Sequence, residues 1–109
     1  MNLQLPHPIE KYVRAENAGD VEALSECFTA YATVRDEGHV YEGLSAIKNW
    51  KTQTKKKYNH TVTPLEISTS KGIATLKARV SGTFPGSPVT VKFHFELVDD
   101  QIASLQIRS

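Results

Sequence analysis

Apolar residues near the start of the chain recur with the period of a helix. One stripe of that helix collects Ile9, Tyr12, Val13 and Glu16. Pro8 suits the first turn of a helix, and Gly19 is well placed to end one. The pattern therefore predicts a first helix over residues 8–18.

A second helix and a pair of short strands are expected to follow. Asp20 can accept hydrogen bonds from the free amides of the next segment. The buried face of this second helix is predicted to contain Val21, Leu24 and Phe28. Residues 32–36 and 40–42 have the character of short strands around Gly38.

A third helix is predicted to start after Gly43 and to end near Tyr58. Its buried side should contain Leu44, Ile47 and Trp50. Lysines at positions 55, 56 and 57 end it, and they could attract an anionic partner. Their simpler role is to complement the negative end of the helix dipole.

From Thr61 onward the hydrophobic period changes from that of a helix to that of a strand. The inward positions of two long strands are predicted to be Ala74, Leu76, Ala78, Val80 and Gly82, and then Val89, Val91, Phe93, Phe95 and Leu97. Turns are expected at Pro85–Gly86 and at Asp99–Asp100. The last strand should turn Ala103, Leu105 and Ile107 inward. Alternation of this kind is typical of half-buried antiparallel strands.

Three helices followed by an antiparallel meander predict an α+β domain whose sheet wraps around the helices. With 109 residues the chain is expected to form a single domain, residues 1–109. A strongly curved sheet can leave a pocket between its concave face and the helices. Small inward residues, Ala74, Ala78 and Gly82, fit either such a space or tight helix packing.

Composition narrows the possible partners and compartment. Thirteen Lys and Arg residues against twelve Asp and Glu give a formal net charge of +1, so we expect neither nucleic acid nor a membrane as a partner. Cys27 is the single cysteine, and the first eight residues lack the pattern of a signal peptide. A cytoplasmic location is the expectation.

Tyr12 and Asp36 are the candidate catalytic pair. Asp36 shares a strand face with Ala32 and Val34, so its carboxylate is predicted to point inward and could act as a general base. It could instead pair with a core hydroxyl or with Arg79, or cap the turn before Gly38. The Tyr12 phenol could donate a hydrogen bond to a substrate or could simply be a core residue.

Other residues have weaker claims to a functional role. The candidate substrate-binding residues are Trp50, Val80, Phe84, Phe93, Phe95 and His39. The aromatic ones could equally be core, and His39 could be an exposed loop residue. Four histidines, at positions 7, 39, 60 and 94, lack the spacing of a metal site, so we expect no metal.

Several segments resemble the nuclear transport factor 2-like superfamily, and within it the SnoaL-like domains and the steroid delta-isomerases. The similarity lies in the order of elements and in the runs YVRAENAGD at 12–20, FTAYATVRD at 28–36 and GLSAI at 43–47. It covers nearly the whole chain. It implies a cone-shaped α+β barrel of the cystatin-like type, a ligand pocket at the open end and a homodimer formed through the sheet.

The resemblance also implies roles for individual residues. Steroid delta-isomerases use an aspartate base, while a tyrosine and a protonated aspartic acid stabilise the dienolate oxygen. Tyr12 stands at the matching tyrosine and Asp36 at the matching base. Phe93 stands at the position of the second acid and cannot donate to an oxyanion. Tyr31 replaces an acidic residue of many relatives, which suggests only a surface or turn effect.

Two functions therefore stay open. The first is a cofactor-free isomerase, cyclase or dehydratase in which Asp36 removes a proton next to the carbonyl of a small apolar substrate, with no metal. The second is a non-catalytic module that binds a hydrophobic metabolite or a protein, or that dimerises, with Tyr12 and Asp36 in a buried hydrogen-bond network.

Overall fold

Three helices and six strands make up residues 3–108, the part of the chain that the computed structural model describes. The helices are α1 (His7–Ala18), α2 (Val21–Ser25) and α3 (Gly43–Tyr58). The strands are β1 (Phe28–Asp36), β2 (His39–Glu42), β3 (Thr61–Ser70), β4 (Ile73–Ser81), β5 (Val89–Val98) and β6 (Gln101–Arg108).

The ends of the first two helices follow from local chemistry. Gly19 ends α1 in the left-handed region at φ 70°, and its N–H bonds the carbonyls of Ala15 and Glu16. The Asp20 side chain then caps α2 by accepting a hydrogen bond from the Ala23 amide at 3.0 Å. Both predicted boundaries are confirmed.

The prediction that Phe28 lies on the second helix was wrong. Helix α2 ends at Ser25, and Phe28 is the first residue of β1, where it pairs with Ile102 of β6. The Ile102 amide also donates to the Cys27 carbonyl at 2.8 Å. Pairing with a strand from the far end of the chain therefore ends the helix one turn earlier than the local pattern predicts.

The six strands form one sheet in the order β2-β1-β6-β5-β4-β3. Neighbouring strands are antiparallel except β1 and β6, which run parallel across the middle of the sheet. Strand β3 lies at an edge, and it contains Pro64 next to an irregularity in its pairing with β4. A proline is tolerated at such a place because it has no N–H to donate.

Irregular pairing interrupts the sheet at three places, and extra residues at such points bend strands. One irregularity lies between β5 and β6, where Glu96 pairs with Ser104 but Leu97 pairs with Ile102. Strict alternation predicted Ala103 on the inward face, and that was wrong. The shift turns Ile102 inward instead, and Ile102 is fully buried.

The concave face of this curved sheet packs against α1 and α3, as expected for an α+β fold of this kind. The centre of the core contains Ile9, Tyr12, Val34, Ile47, Leu76 and Phe95. Ala74, Leu76 and Ala78 of β4 all point inward, so the predicted face of this strand is confirmed. Leu44, predicted on the buried side of α3, is half-buried at the edge of the core.

Lys55 has a different partner from the one its position predicted. Its Nζ donates to the carbonyl of Glu16 in α1 at 2.8 Å and to the carbonyl of His60 just before β3. The lysine therefore joins the end of α1 to the start of β3 rather than complementing only its own helix. Lys56 and Lys57 are exposed.

None of the helices formed by residues 3–108 combines the length and the apolar character that a membrane span needs.

Candidate functional site

A cavity of about 330 Å³ lies between the helices and the sheet. Its apolar walls include Trp50, Tyr58, Val80, Phe84, Val91 and Phe93. Its polar groups are Tyr12, Glu16, Asp36, Lys51 and His60, joined at the rim by Glu37 and Thr54. Apolar walls with a few polar groups are typical of small-molecule sites.

Asp36 is the last residue of β1 and lies half-buried at the cavity. Its Oδ2 accepts a hydrogen bond from Trp50 Nε1 at 3.0 Å. Trp50 lies on the buried side of α3, so this bond joins the helix to the end of the strand. The alternative partner Arg79 is exposed in β4, and the carboxylate pairs with the indole instead.

Tyr12 is fully buried on α1 and lines the same cavity. Its ring meets those of Phe28, Phe93 and Phe95 edge to face, at centroid distances of 6.1, 6.2 and 5.4 Å. The hydroxyl has no hydrogen-bond partner within the described residues. Burial raises the pKa of Tyr12 well above its usual value, and the negative charges of Glu16 and Asp36 add smaller increases. The phenol therefore keeps its proton and can donate it in a hydrogen bond.

The structure brings together most of the residues that the sequence singled out as substrate-binding. Trp50, Val80, Phe84 and Phe93 line the cavity with Tyr12 and Asp36. Phe95 does not line it, because its ring is fully buried behind Phe93 and stacks on it with an interplanar angle of 9°. His39 does not line it either. It is exposed and borders a separate cavity at the β1–β2 turn.

The sequence did not predict a group of three buried ionisable residues. They are Glu16, Lys51 and His60, which we call the ionic cluster. Glu16 Oε1 lies 2.8 Å from Lys51 Nζ and also accepts a hydrogen bond from His60 Nε2. Lys51 Nζ lies 3.5 Å from His60 Nε2. Glu16 Oε2 and His60 Nδ1 are buried without a partner among residues 3–108. All three side chains line the cavity.

Electrostatics within the ionic cluster favour an ionised Glu16. Burial opposes its charge, but the hydrogen bond from His60 and the positive charge of Lys51 outweigh that effect and hold the pKa of Glu16 below its usual value. Burial lowers the pKa of Lys51, and the nearby Glu16 carboxylate offsets part of that change. Lys51 Nζ also lies 4.1 Å from the centroid of the Trp50 ring, a distance suited to a cation–π contact.

One signal in the sequence could have revealed this cluster. Glu16 lies on the apolar stripe of α1, and Lys51 follows Ile47 by four residues on the apolar stripe of α3. Opposite charges on two buried stripes favour a pair, because a lone buried charge is costly. His60 gives no such signal, since its burial depends on how the chain enters β3.

Comparison with known proteins supports the same fold. A structure from Sinorhizobium meliloti described as a candidate polyketide cyclase is 40% identical, with 95% of each chain covered and a TM-score of 0.93. A protein with a ketosteroid isomerase-like fold from Catenulispora acidiphila, solved with trimethylamine, is 22% identical over 97% of this chain and 87% of its own, with a TM-score of 0.87. An NTF2-like protein from Cytophaga hutchinsonii is 15% identical over 98% and 92%, with a TM-score of 0.78.

A search of curated proteins finds no match to the chain. The family profile of the SnoaL-like domain matches residues 9–105, which include every helix and strand in part or in full. Both the fold and the sequence thus agree with the resemblance seen in the runs at 12–20, 28–36 and 43–47. The chain belongs to the SnoaL-like domain family, and it has the fold of proteins described as ketosteroid isomerase-like and NTF2-like.

Proposed function

We propose that the cavity binds a small apolar carbonyl compound and catalyses cofactor-free acid–base chemistry next to the carbonyl. One observation carries the proposal: the Asp36 carboxylate and the Tyr12 phenol, which has no hydrogen-bond partner among residues 3–108, belong to one cavity with aromatic and aliphatic walls. A positioned base and a hydrogen-bond donor are what enolisation of a ketone needs.

In the proposed step, Asp36 removes a proton from the carbon next to the carbonyl. Negative charge develops on the carbonyl oxygen, and the Tyr12 hydroxyl donates a hydrogen bond to it. The raised pKa of Tyr12 keeps the hydroxyl protonated, so it stabilises the enolate without transferring its own proton. Return of the proton to another carbon completes an isomerisation, whereas attack of the enolate on a second carbonyl forms a ring.

The presence of Phe93 favours a reaction other than ketosteroid isomerisation. It stands where the resembling steroid delta-isomerases have their second acid, and its side chain forms an apolar part of the cavity wall. The 40% identical relative is described as a candidate polyketide cyclase. Cyclisation or isomerisation of a compound smaller than a steroid fits the cavity, because about 330 Å³ is near the lower end for ligand sites.

A second candidate function is ligand binding without catalysis. Asp36 already accepts a hydrogen bond from Trp50 Nε1, so its carboxylate has a structural partner. In this alternative the carboxylate fixes the indole as one wall of the cavity and no proton is transferred.

The two functions are separated by replacing Asp36→Asn and measuring binding and turnover over a panel of enolisable ketones. Trp50 is the single tryptophan and lines the cavity, so its fluorescence reports ligand entry. Retained binding with turnover reduced by about 100-fold or more supports Asp36 as the base. Binding by both proteins with turnover by neither supports the binding module.

A further inference from the structure

Lys51 is a potential nucleophile that the proposed acid–base chemistry does not use. Only 3% of its surface is exposed, yet it lines the cavity beside Tyr12 and Trp50. Its Nζ lies 6.0 Å from the centroid of the Tyr12 ring and 4.1 Å from that of Trp50. A lysine amine in an apolar site that accepts carbonyl compounds has the chemistry of an imine-forming residue.

We propose that Lys51 forms a reversible imine with aldehydes or ketones that enter the cavity. The proposal shares with the proposed function only the entry of a carbonyl compound into this cavity, and it needs no action by Asp36. It adds covalent capture of the substrate to the acid–base chemistry of the same site.

The ionic cluster supplies the proton transfers that imine formation needs. Lys51 first gives a proton to Glu16, whose Oε1 lies 2.8 Å from Nζ and whose Oε2 has no partner among residues 3–108. The Nζ lone pair then attacks the carbonyl carbon, and the π electrons of the carbonyl move to its oxygen. Glu16 gives its proton to that oxygen and takes one from the positively charged nitrogen, which gives a neutral carbinolamine and leaves Glu16 protonated.

Loss of water completes the reaction. Protonated Glu16 gives its proton to the hydroxyl of the carbinolamine, which leaves as water, while the nitrogen lone pair forms the C=N bond. The Lys51 ammonium and one carbonyl thus give one protonated imine and one water, Glu16 is again a carboxylate, and no oxidant or reductant is consumed. His60, whose Nε2 also bonds Glu16 Oε1, holds the carboxylate as the proton moves.

The surroundings of Lys51 also favour the neutral amine that attacks. Burial lowers the pKa of Lys51. Lys56 and Lys57 lie at the end of the same helix. Those two side chains provide the internal comparison, since they are exposed and share α3 with Lys51.

Reductive trapping tests the proposal on the native protein. Benzaldehyde or cyclohexanone is added with sodium cyanoborohydride, which converts an imine to a stable secondary amine, and the modified lysines are located by peptide mass mapping. We expect Lys51 to be the main site of modification and to react faster than Lys56 or Lys57, because burial lowers the pKa of the Lys51 amine and it lines the cavity.

Matched variants make the result decisive. Lys51→Arg keeps the positive charge beside Glu16 and should abolish the fast adduct, whereas Lys56→Met should leave it unchanged. Trapping detects the adduct without turnover, so a fast adduct with no turnover of ketones supports this proposal and rejects the acid–base function, whereas turnover with no adduct at Lys51 does the reverse. Modification spread over the exposed lysines with Lys51 unreacted, or fast labelling that persists in Lys51→Arg, would overturn the proposal and leave Lys51 as the counter-ion of Glu16.

Discussion

Glu16 and Lys51 are charged residues that α1 and α3 hold in the interior, with only 1% and 3% of their surfaces exposed. Desolvating two charges is costly, and the pair is tolerated because the contact is close and because His60 adds a further hydrogen bond to the carboxylate. Removing either partner alone leaves an uncompensated charge.

Glu16→Gln tests the ionised state of this carboxyl. Because the folded protein lowers the pKa of Glu16, its ionisation stabilises the fold above the unfolded pKa near 4.5, and that contribution is lost as the pH falls through the lower folded value. Wild-type stability should therefore fall more steeply between about pH 5 and pH 3 than that of Glu16→Gln. Thermal unfolding followed across this range gives the comparison.

The control for this prediction is Glu10→Gln, because Glu10 is an exposed carboxylate on the same helix, paired with Arg14. It should retain the steep wild-type dependence on pH, since exposed pairs contribute little. Equal pH dependence in wild type and Glu16→Gln would show that Glu16 is not ionised in the folded protein.

At the scale of single residues, the sequence predicted which way some side chains point but not which residues they contact. The alternation along β1 and the helical stripe of α1 were enough to predict that Asp36 and Tyr12 point inward, and both line one cavity. The contact between Glu16 and Lys51 joins residues 35 apart, and their distance depends on how two helices pack. Asp36 accepts a hydrogen bond from Trp50, and no local sequence pattern predicts that contact.

At the scale of elements, Gly82 lets the end of α3 approach the end of β4. A Cβ at this position would lie 2.6 Å from the Tyr58 carbonyl oxygen and 3.0 Å from the His60 Cβ. The Thr83 amide donates to the same Tyr58 carbonyl at 2.8 Å. This close approach fixes the segment that carries His60 into the ionic cluster.

Gly82→Ala should therefore destabilise the protein by roughly 1–3 kcal/mol, because the added methyl group overlaps backbone atoms that cannot move freely. Urea unfolding measures the change. Thr69→Ala, at an exposed position of β3, is the control and should change stability by less than about 0.5 kcal/mol. A Gly82→Ala protein as stable as wild type would show that the α3–β4 contact is loose.

Element types were predictable because the hydrophobic period changes near Thr61, but some boundaries were not. Phe28 fits the face of a helix, yet pairing with Ile102 places it in β1. Ala103 fits strict alternation, yet the shifted register between β5 and β6 turns Ile102 inward. Both errors have one cause: contacts between distant segments outweigh local preference.

At the scale of the whole molecule, curvature of the sheet produces the cavity. The α+β architecture was predictable from three helical patterns followed by alternating strands, and the family agrees with it. The parallel pairing of β1 with β6 could not be predicted, because it joins strands from the two halves of the chain. The homodimer through the sheet stays a prediction.

Function was less predictable than fold, because a fold of this kind hosts many reactions and the site alone decides among them. The residues that would distinguish them are those that differ from the steroid delta-isomerases. By the resemblance, Phe93 replaces one donor of their site, and the cavity of this chain also contains the amine, carboxylate and imidazole of the ionic cluster. The loss of that donor supports the proposal of a carbonyl substrate other than a steroid.

Solvent deuterium exchange at the carbon next to a carbonyl tests directly whether Asp36 acts as a base. Enolisable ketones are incubated in D2O with wild type, Asp36→Asn or Tyr12→Phe, and loss of the proton signal is followed by NMR, while Trp50 fluorescence confirms binding. We predict exchange catalysed by wild type and slowed by about 100-fold or more in Asp36→Asn. Equal exchange by wild type and Asp36→Asn, with ligand bound to both, would contradict Asp36 as the base.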